Sequence, residues 1–415
     1  MRSPIALALI LALAPTVAAK TLKVPKDHAT IQAAVLAADD GDTVLVKPGE
    51  YREIVVVPFS SPGITIKGTK KGAVIIDARV VAGGSGAGVR VFADGVTLKN
   101  LVVRHALDQA GAFPFNDGHG LYVSGDDVRL DDVQVLHSGD AGIFIDAARP
   151  LVRRCLVRRA LHGIVIQGDD ARIVDTAIEM SEDEGVLISG DDAIVDRSAI
   201  RTSMFANGIA ITGDRATVRA TLVEQTDEVG ILVIGDDAQI EENTVRGSYS
   251  DAGSIHVAGG DRAIIRKNVC RDSLAPGIFD ESSDGRVAGN LVRDCGAGIR
   301  VVADDVDILD NTVIDTGYDA FSIDGHDNFV SGNVARGNLY DGFEVVGGNN
   351  NLLIDNESFD NHAEGIENDG NFTEIIGNTA KRNRLDVANG GGISTFQNNS
   401  FVTGGPFTPP ILDDD

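Results

Sequence analysis

Asn243, Asn268, Asn290, Asn311, Asn333, Asn356 and Asn378 recur at intervals of 21 to 25 residues, inside phrases such as Asn-Thr-Val and Asn-Leu-Val. A fixed period of that length marks a solenoid, because one such unit cannot bury its own apolar face and must stack on its neighbours. A second phrase keeps step with the first: Gly followed by alternating apolar residues, at Gly120, Gly142, Gly163, Gly185, Gly208 and Gly230, with later copies at Gly277, Gly298, Ala320, Gly342 and Gly365. Alternation with period two marks strands. An equal step between copies places them side by side and parallel, roughly 4.8 Å apart. Ile143, Ile145, Ile164, Ile166, Ile209 and Ile211 are then the inward positions, each contributing roughly 1.5 to 3 kcal/mol on burial.

Turns follow these strands in the form Gly125-Asp-Asp, Gly168-Asp-Asp, Gly190-Asp-Asp and Gly235-Asp-Asp. Gly and Asp supply left-handed and side-chain-capped geometry, and the nine-residue Gly-Gly-x-Gly-x-Asp calcium repeat is absent, so these turns read as structural. The Asn column reads as structural too, since stacked Asn side chains can satisfy buried backbone groups, and in earlier coils the column continues as Cys155, Thr176, Ser198 and Thr221. The stretch from Asp27 to Ala38 reads as a short amphipathic helix covering the open end of the coil.

The start, Met1-Arg2 and then apolar residues from Ile5 to Leu13 before Val17-Ala18-Ala19, has the layout of a secretory leader with cleavage expected after Ala19. No later run reaches the roughly 20 apolar residues of a membrane span. A secreted or periplasmic location is therefore expected. A net charge of -26 excludes general nucleic-acid binding. The three cysteines, Cys155, Cys270 and Cys295, are too few for a disulfide framework. The expected divisions are a leader over 1–19, a cap helix and first strands over 20–57, a parallel coil over 58–403 and a tail over 404–415, forming a monomer.

Thr30-Ile-Gln-Ala-Ala, Gly41-Asp-Thr-Val-Leu-Val, Pro48-Gly-Glu-Tyr and the Gly-Ile and Asn-x-Val coils resemble secreted right-handed parallel β-helix proteins of the pectin-lyase-like superfamily. The resemblance implies an all-β solenoid, here about 14 coils with a short N-terminal capping helix. It also implies a carbohydrate-facing role. The motifs specify the fold far better than the chemistry.

One coil breaks the rhythm. Between Val102 and Gly120 the chain spends about ten residues more than its neighbours, and insertions in solenoids cluster on the functional face. Aligning the coils puts His105 and His137 at one point of consecutive turns, with Arg159 next, while His119 and His162 each precede a strand Gly. The expected catalytic set is His119, His137, Asp117, Asp140 and Tyr122: imidazoles that move protons near neutral pH, carboxylates that orient them and an outward phenol as second proton carrier. Asp117-Gly118-His119 is similar to the Asp-Pro-His segment of alginate epimerases, with Gly118 in place of the Pro. The expected substrate-binding set is Arg158, Arg159, His105, His162 and Arg300, because guanidinium matches carboxylate geometry. Solvated turn residues are the alternative reading of the histidines.

A metal reading, with the imidazoles and a carboxylate holding zinc or copper, lacks a tight His-x-x-x-His pair. Further along, outward positions turn polar at His256, Glu281, Arg300, Asp324, Glu344, Glu367 and Asp369, where carboxylates could hold calcium. The alternative there is ion pairing, with Arg300 flanked by Glu281 and Asp324. The expected activity is proton abstraction at a uronate of an acidic polysaccharide, by a lyase or an epimerase. The competing classes are a non-catalytic, adhesin-like surface protein and a periplasmic metal-handling factor.

Overall fold

The computed structural model describes residues 18–79, 86–106 and 118–402. The inserted stretch from Leu107 through Asp117, most of the expected leader and the expected tail lie outside the described residues.

Each coil has three short strands and three corners. In one turn, Ile143–Asp146, Leu151–Arg153 and Leu156–Ala160 lie on successive faces before the chain returns to Ile164–Gln167. Every strand pairs in parallel with its counterpart one coil on, so that Ile143 meets Ile164 and Ile164 meets Val186. The corners turn through left-handed residues, here Arg149 (φ 57°), Arg154 (φ 53°) and Arg159 (φ 59°). Asp and Asn, which tolerate that region best, fill many equivalent positions, including Asp170, Asp175, Asp192, Asp310, Asp355 and Asn398. The arginines among them pair with the aspartates one coil earlier: Arg149 with Asp127, Arg215 with Asp192 and Arg262 with Asp237. The Gly-Asp turns are thus charge-compensated corners.

Seventeen strands stack on the second face, so the described residues form 17 coils rather than about 14. The difference arises at the start, where Thr21–Val24, Thr43–Val46 and Thr65–Gly68 already pair in parallel ahead of the Gly and Asn series that begin at Gly120 and Asn243. The capping helix spans Ile31–Leu36 and buries Ile31, Ala34 and Val35. Its amide ends are met by Thr30, whose hydroxyl accepts from Ala33, and by Glu53, whose carboxylate accepts from Ile31 and Gln32.

The six inward isoleucines singled out above are all fully buried. The strand glycines are required by contact: a Cβ on Gly163 would lie 2.2 Å from the Gly185 carbonyl oxygen. The Asn column is a ladder. Each Oδ1 accepts from the preceding Asn's backbone and side-chain amides, as Asn311 does from Asn290 at 2.9 and 3.0 Å, and each Nδ2 also donates to a backbone carbonyl. Thr221, Ser198, Thr176 and Cys155 continue the chain of bonds backwards. All three cysteines are free and buried.

A carboxylate also enters the core. Asp280, fully buried, lies in register between Val257 and Val301. Its Oδ1 accepts from the Ser282 amide and hydroxyl, whereas Oδ2 finds no hydrogen-bond partner among the described residues. Burial pushes its pKa up to about 6.

Candidate functional site

The outward side of the glycine strands is one continuous row. Register runs from Arg90 through Tyr122, Phe144, Val165 and Leu187, and later through His256, Phe279, Arg300, Ser322, Glu344 and Glu367. Apolar residues separate two polar ends.

At the N-terminal end an aromatic file lies along the axis. Phe59 and Phe92 are 5.4 Å apart by ring centroid, Phe92 and Tyr122 6.0 Å, and Tyr122 stacks on Phe144 at 5.7 Å. His119 stacks on Phe144 at 4.8 Å and lies 6.1 Å from Tyr122. Its Nδ1 is 3.6 Å from Oδ2 of Asp140, and both residues are buried. The coil backbone fixes this placement: the amides of Gly139 and Asp140 donate to Gly118, while the His119 carbonyl accepts from Gly88.

Arg90 is the register partner of Tyr122 on the preceding strand, which places their Cα atoms roughly 4.8 Å apart. Sequence reasoning missed Arg90, because the stretches before and after it disturb the 22-residue step. The available signal was Gly88-Val-Arg-Val, a glycine strand like Gly120-Leu-Tyr-Val. Arg90, Tyr122 and His119 thus lie on adjacent coils around one patch lined by aromatic rings, with the Arg90 guanidinium against Gly86 and Asp140 facing the imidazole. Such a set can neutralise a carboxylate, move protons and stack against a sugar ring.

The other predicted residues occupy different places. His105 and His137 stack at 5.4 Å in a left-handed corner column, His137 Nε2 lies 3.2 Å from Arg159, and His105 Nδ1 lies 3.4 Å from Asp77. Burial, helped by the charges of Arg159 and His105, lowers the His137 pKa and keeps that ring neutral at pH 7. The four histidines therefore divide between this column and the corner before the glycine strands. His162 Nδ1 faces Glu184 at 3.0 Å. Arg158 is paired with Glu179, and Arg149, Arg153 and Arg154 with Asp126, Asp127, Asp131 and Asp132. Much of the arginine cluster is thus committed to neighbouring carboxylates. Asp117 lies outside the described residues.

At the C-terminal end, His256 stacks on Phe279 at 4.6 Å and meets Glu281 at 2.8 Å. Arg300 corrects an expectation: its register neighbours are Phe279 and Ser322, not Glu281 and Asp324, and its guanidinium covers the Phe279 ring at 4.9 Å. Glu281 and Asp324 sit two positions further along their strands, so the ion-pair ladder expected there does not form. Beyond Ser322 comes a carboxylate group. Asp341, Glu364 and Glu367 each bring an oxygen within 4.8 Å of the others, beside the stacked and exposed Tyr318 and Tyr340. Burial and the neighbouring acids push Asp341 up to about 9, so it is neutral at pH 7, while Arg384 pairs with Glu364 at 2.7 Å. Among the described residues two groups could accept a cation: these three carboxylates, an oxygen-only set of the kind calcium takes, and the mixed set of His162 with Asp183 and Glu184.

Among known proteins, the family described as "Right handed beta helix region" matches residues 207–367 and 277–404. No curated protein matches the chain in sequence. Among solved structures, the siphovirus 9NA tailspike receptor binding domain is 12% identical over 95% of this chain and 78% of that one, with a TM-score of 0.45. The Azotobacter vinelandii mannuronan C-5 epimerase AlgE6 A-module is 16% identical over 89% and 93%, with a TM-score of 0.34. The periplasmic alginate epimerase AlgG is 12% identical over 88% and 77%, with a TM-score of 0.39. At these identities the likeness concerns the fold alone. Among the described residues no helix is long and apolar enough to cross a membrane.

Proposed function

We propose that this chain, a parallel β-helix whose residues 207–404 match the right-handed β-helix family, is a secreted or periplasmic protein that acts on an acidic polysaccharide by proton abstraction next to a uronate carboxylate. The observation that carries this reading is the adjacency of Arg90 and Tyr122 in strand register, with His119 beside Tyr122 and facing Asp140 at 3.6 Å. Removing a proton α to a carboxylate is difficult while that carboxylate keeps its full negative charge. A guanidinium bonded to it stabilises the charge that develops on its oxygens, a role worth several kcal/mol in a sheltered site.

In this reading Arg90 holds the uronate carboxylate, and Tyr122 and His119 serve as the proton-accepting and proton-donating groups. Asp140 orients the imidazole, and Phe92 and Phe144 support the sugar ring. Donation to the opposite face of the ring gives an epimerase. Expulsion of the glycosidic oxygen gives a lyase. The test is incubation of the mature protein with alginate, polygalacturonate and glycosaminoglycans, with and without calcium, followed by ultraviolet absorbance of unsaturated uronates and by proton NMR of the sugars. New unsaturated ends identify a lyase and changed configuration an epimerase. Silence across the panel favours a non-catalytic binding rod.

Glycoside hydrolysis is a second reading, favoured by one observation: Asp341 is held as a neutral acid beside Glu364 and Glu367. A protonated and an ionised carboxyl close together form the acid and nucleophile pair of retaining hydrolases, whose carboxyl groups stand roughly 5 Å apart. New reducing ends without unsaturation, lost in Asp341→Asn, would identify that activity.

A further inference from the structure

We infer that His162, Asp183 and Glu184 form a zinc site on the corner that leads into the glycine strands, one coil beyond Asp140. The inference is independent of the activity proposed above. It rests first on distances. His162 Nδ1 lies 3.0 Å from a Glu184 oxygen and 3.7 Å from an Asp183 oxygen, and ligand atoms of all three fall within 4.8 Å of one another. A tetrahedral zinc with bonds of about 2.1 Å separates its ligand atoms by roughly 3.4 Å. The two measured edges bracket that value, so the ion fits by small side-chain adjustment.

Rigidity is the second ground. The Asp183 amide donates to Leu161 at 2.7 Å and the Gly163 amide to Glu184 at 2.9 Å, so His162 sits between two backbone bonds to the coil that carries both carboxylates. The ligand carriers are therefore placed before any ion arrives. The donor set is the third ground, because one imidazole and two carboxylates suit zinc, whereas calcium prefers a shell of oxygens alone. The side chains of His162, Asp183 and Glu184 are 24%, 38% and 19% exposed, which leaves an approach from solvent and a fourth position for water. Three protein ligands with one open position is the arrangement of a zinc ion that can take a further ligand.

The test uses the full mature protein, stripped with chelator and titrated with zinc chloride by calorimetry, while the imidazole resonances are followed by NMR. We expect one zinc bound per chain, a shift of the His162 resonance at one equivalent, and affinity at least tenfold weaker in His162→Gln and in Glu184→Gln. Glu367→Gln, in the separate carboxylate group, should bind as the unaltered chain does, and excess calcium should not displace the zinc. Absence of binding, an unmoved His162 resonance, or loss of binding in Glu367→Gln in place of His162→Gln would each overturn the assignment. The resonance shift is read on the unaltered protein, so the answer does not depend on the variants folding.

Discussion

His119 Nδ1 lies 3.6 Å from Oδ2 of Asp140, on the adjacent coil, while the same imidazole stacks on Phe144 at 4.8 Å. The ring is thus stacked on an aromatic, with a carboxylate facing Nδ1 at a distance longer than a hydrogen bond. Stacking of this kind limits the directions in which an acid or base presents its nitrogens. Tyr122 stands on the same face, stacked on the same Phe144.

Replacing Tyr122 by Phe keeps the ring and its stacking and removes only the phenol oxygen. The expected result is a loss of about 10²- to 10⁴-fold in turnover with an unchanged melting temperature. His119→Gln should lose activity to a similar degree. Steady-state rates and thermal melts on the same preparations check both expectations.

The Asn ladder should matter for stability in proportion to its bonds. Asn311→Ala removes the acceptor of two amides of Asn290 and the Nδ2 bonds to Val287 and Asn333, all buried. The expected cost is on the order of 4 kcal/mol, because the stranded donors of Asn290 keep their desolvation penalty. In a solenoid that loss falls on one coil and its neighbours, so denaturant unfolding should broaden or divide into two steps. Circular dichroism against urea concentration is the measurement.

Asp280 sets a pH dependence whose sign follows from its environment. Its pKa is about 6 in the folded chain against 3.8 in the free side chain. The folded state therefore prefers the protonated form. Stability from this group is fully present below pH 3.8 and is lost as pH rises through 6, a difference of roughly 3 kcal/mol. Asp280→Asn should raise the melting temperature at pH 7.5 and leave it nearly unchanged at pH 4. Paired melts at the two pH values check this.

Much of the fold was legible because a β-helix repeats its constraints. Gly163 and its equivalents are demanded by the carbonyl of the next coil, Ile164 and Ile166 by the core, and Asn311 by the ladder, so each leaves a periodic trace. The first coils carry only part of that trace, since Val44 and Val46 fill the core behind Gly41 but stand outside the series that starts at Gly120. The site was harder to read. Tyr122, His119 and Asp140 were visible beside the insertion, whereas Arg90 stands 32 residues before Tyr122 and escapes a 22-residue ruler. Arg300 was misplaced for a related reason: counting along a strand does not tell which outward residue meets it across the ladder, and Phe279 and Ser322 proved to be its neighbours. Asp319 and Asp341 precede strands and Glu364 opens one, where acids ordinarily serve turns, so only the folded arrangement reveals Asp341 as a buried neutral acid.

The central claim is removal of a uronate proton at the patch of Arg90, Tyr122 and His119. The most direct measurement is incubation with uronate polymers in heavy water, with deuterium at the carbon next to the carboxylate followed by NMR. Deuterium entering that position, or unsaturated ends appearing in its place, with both abolished in Tyr122→Phe, is the result expected. A folded, unaltered protein that leaves every such proton in place, or a Tyr122→Phe variant that exchanges as fast as the parent, would contradict it.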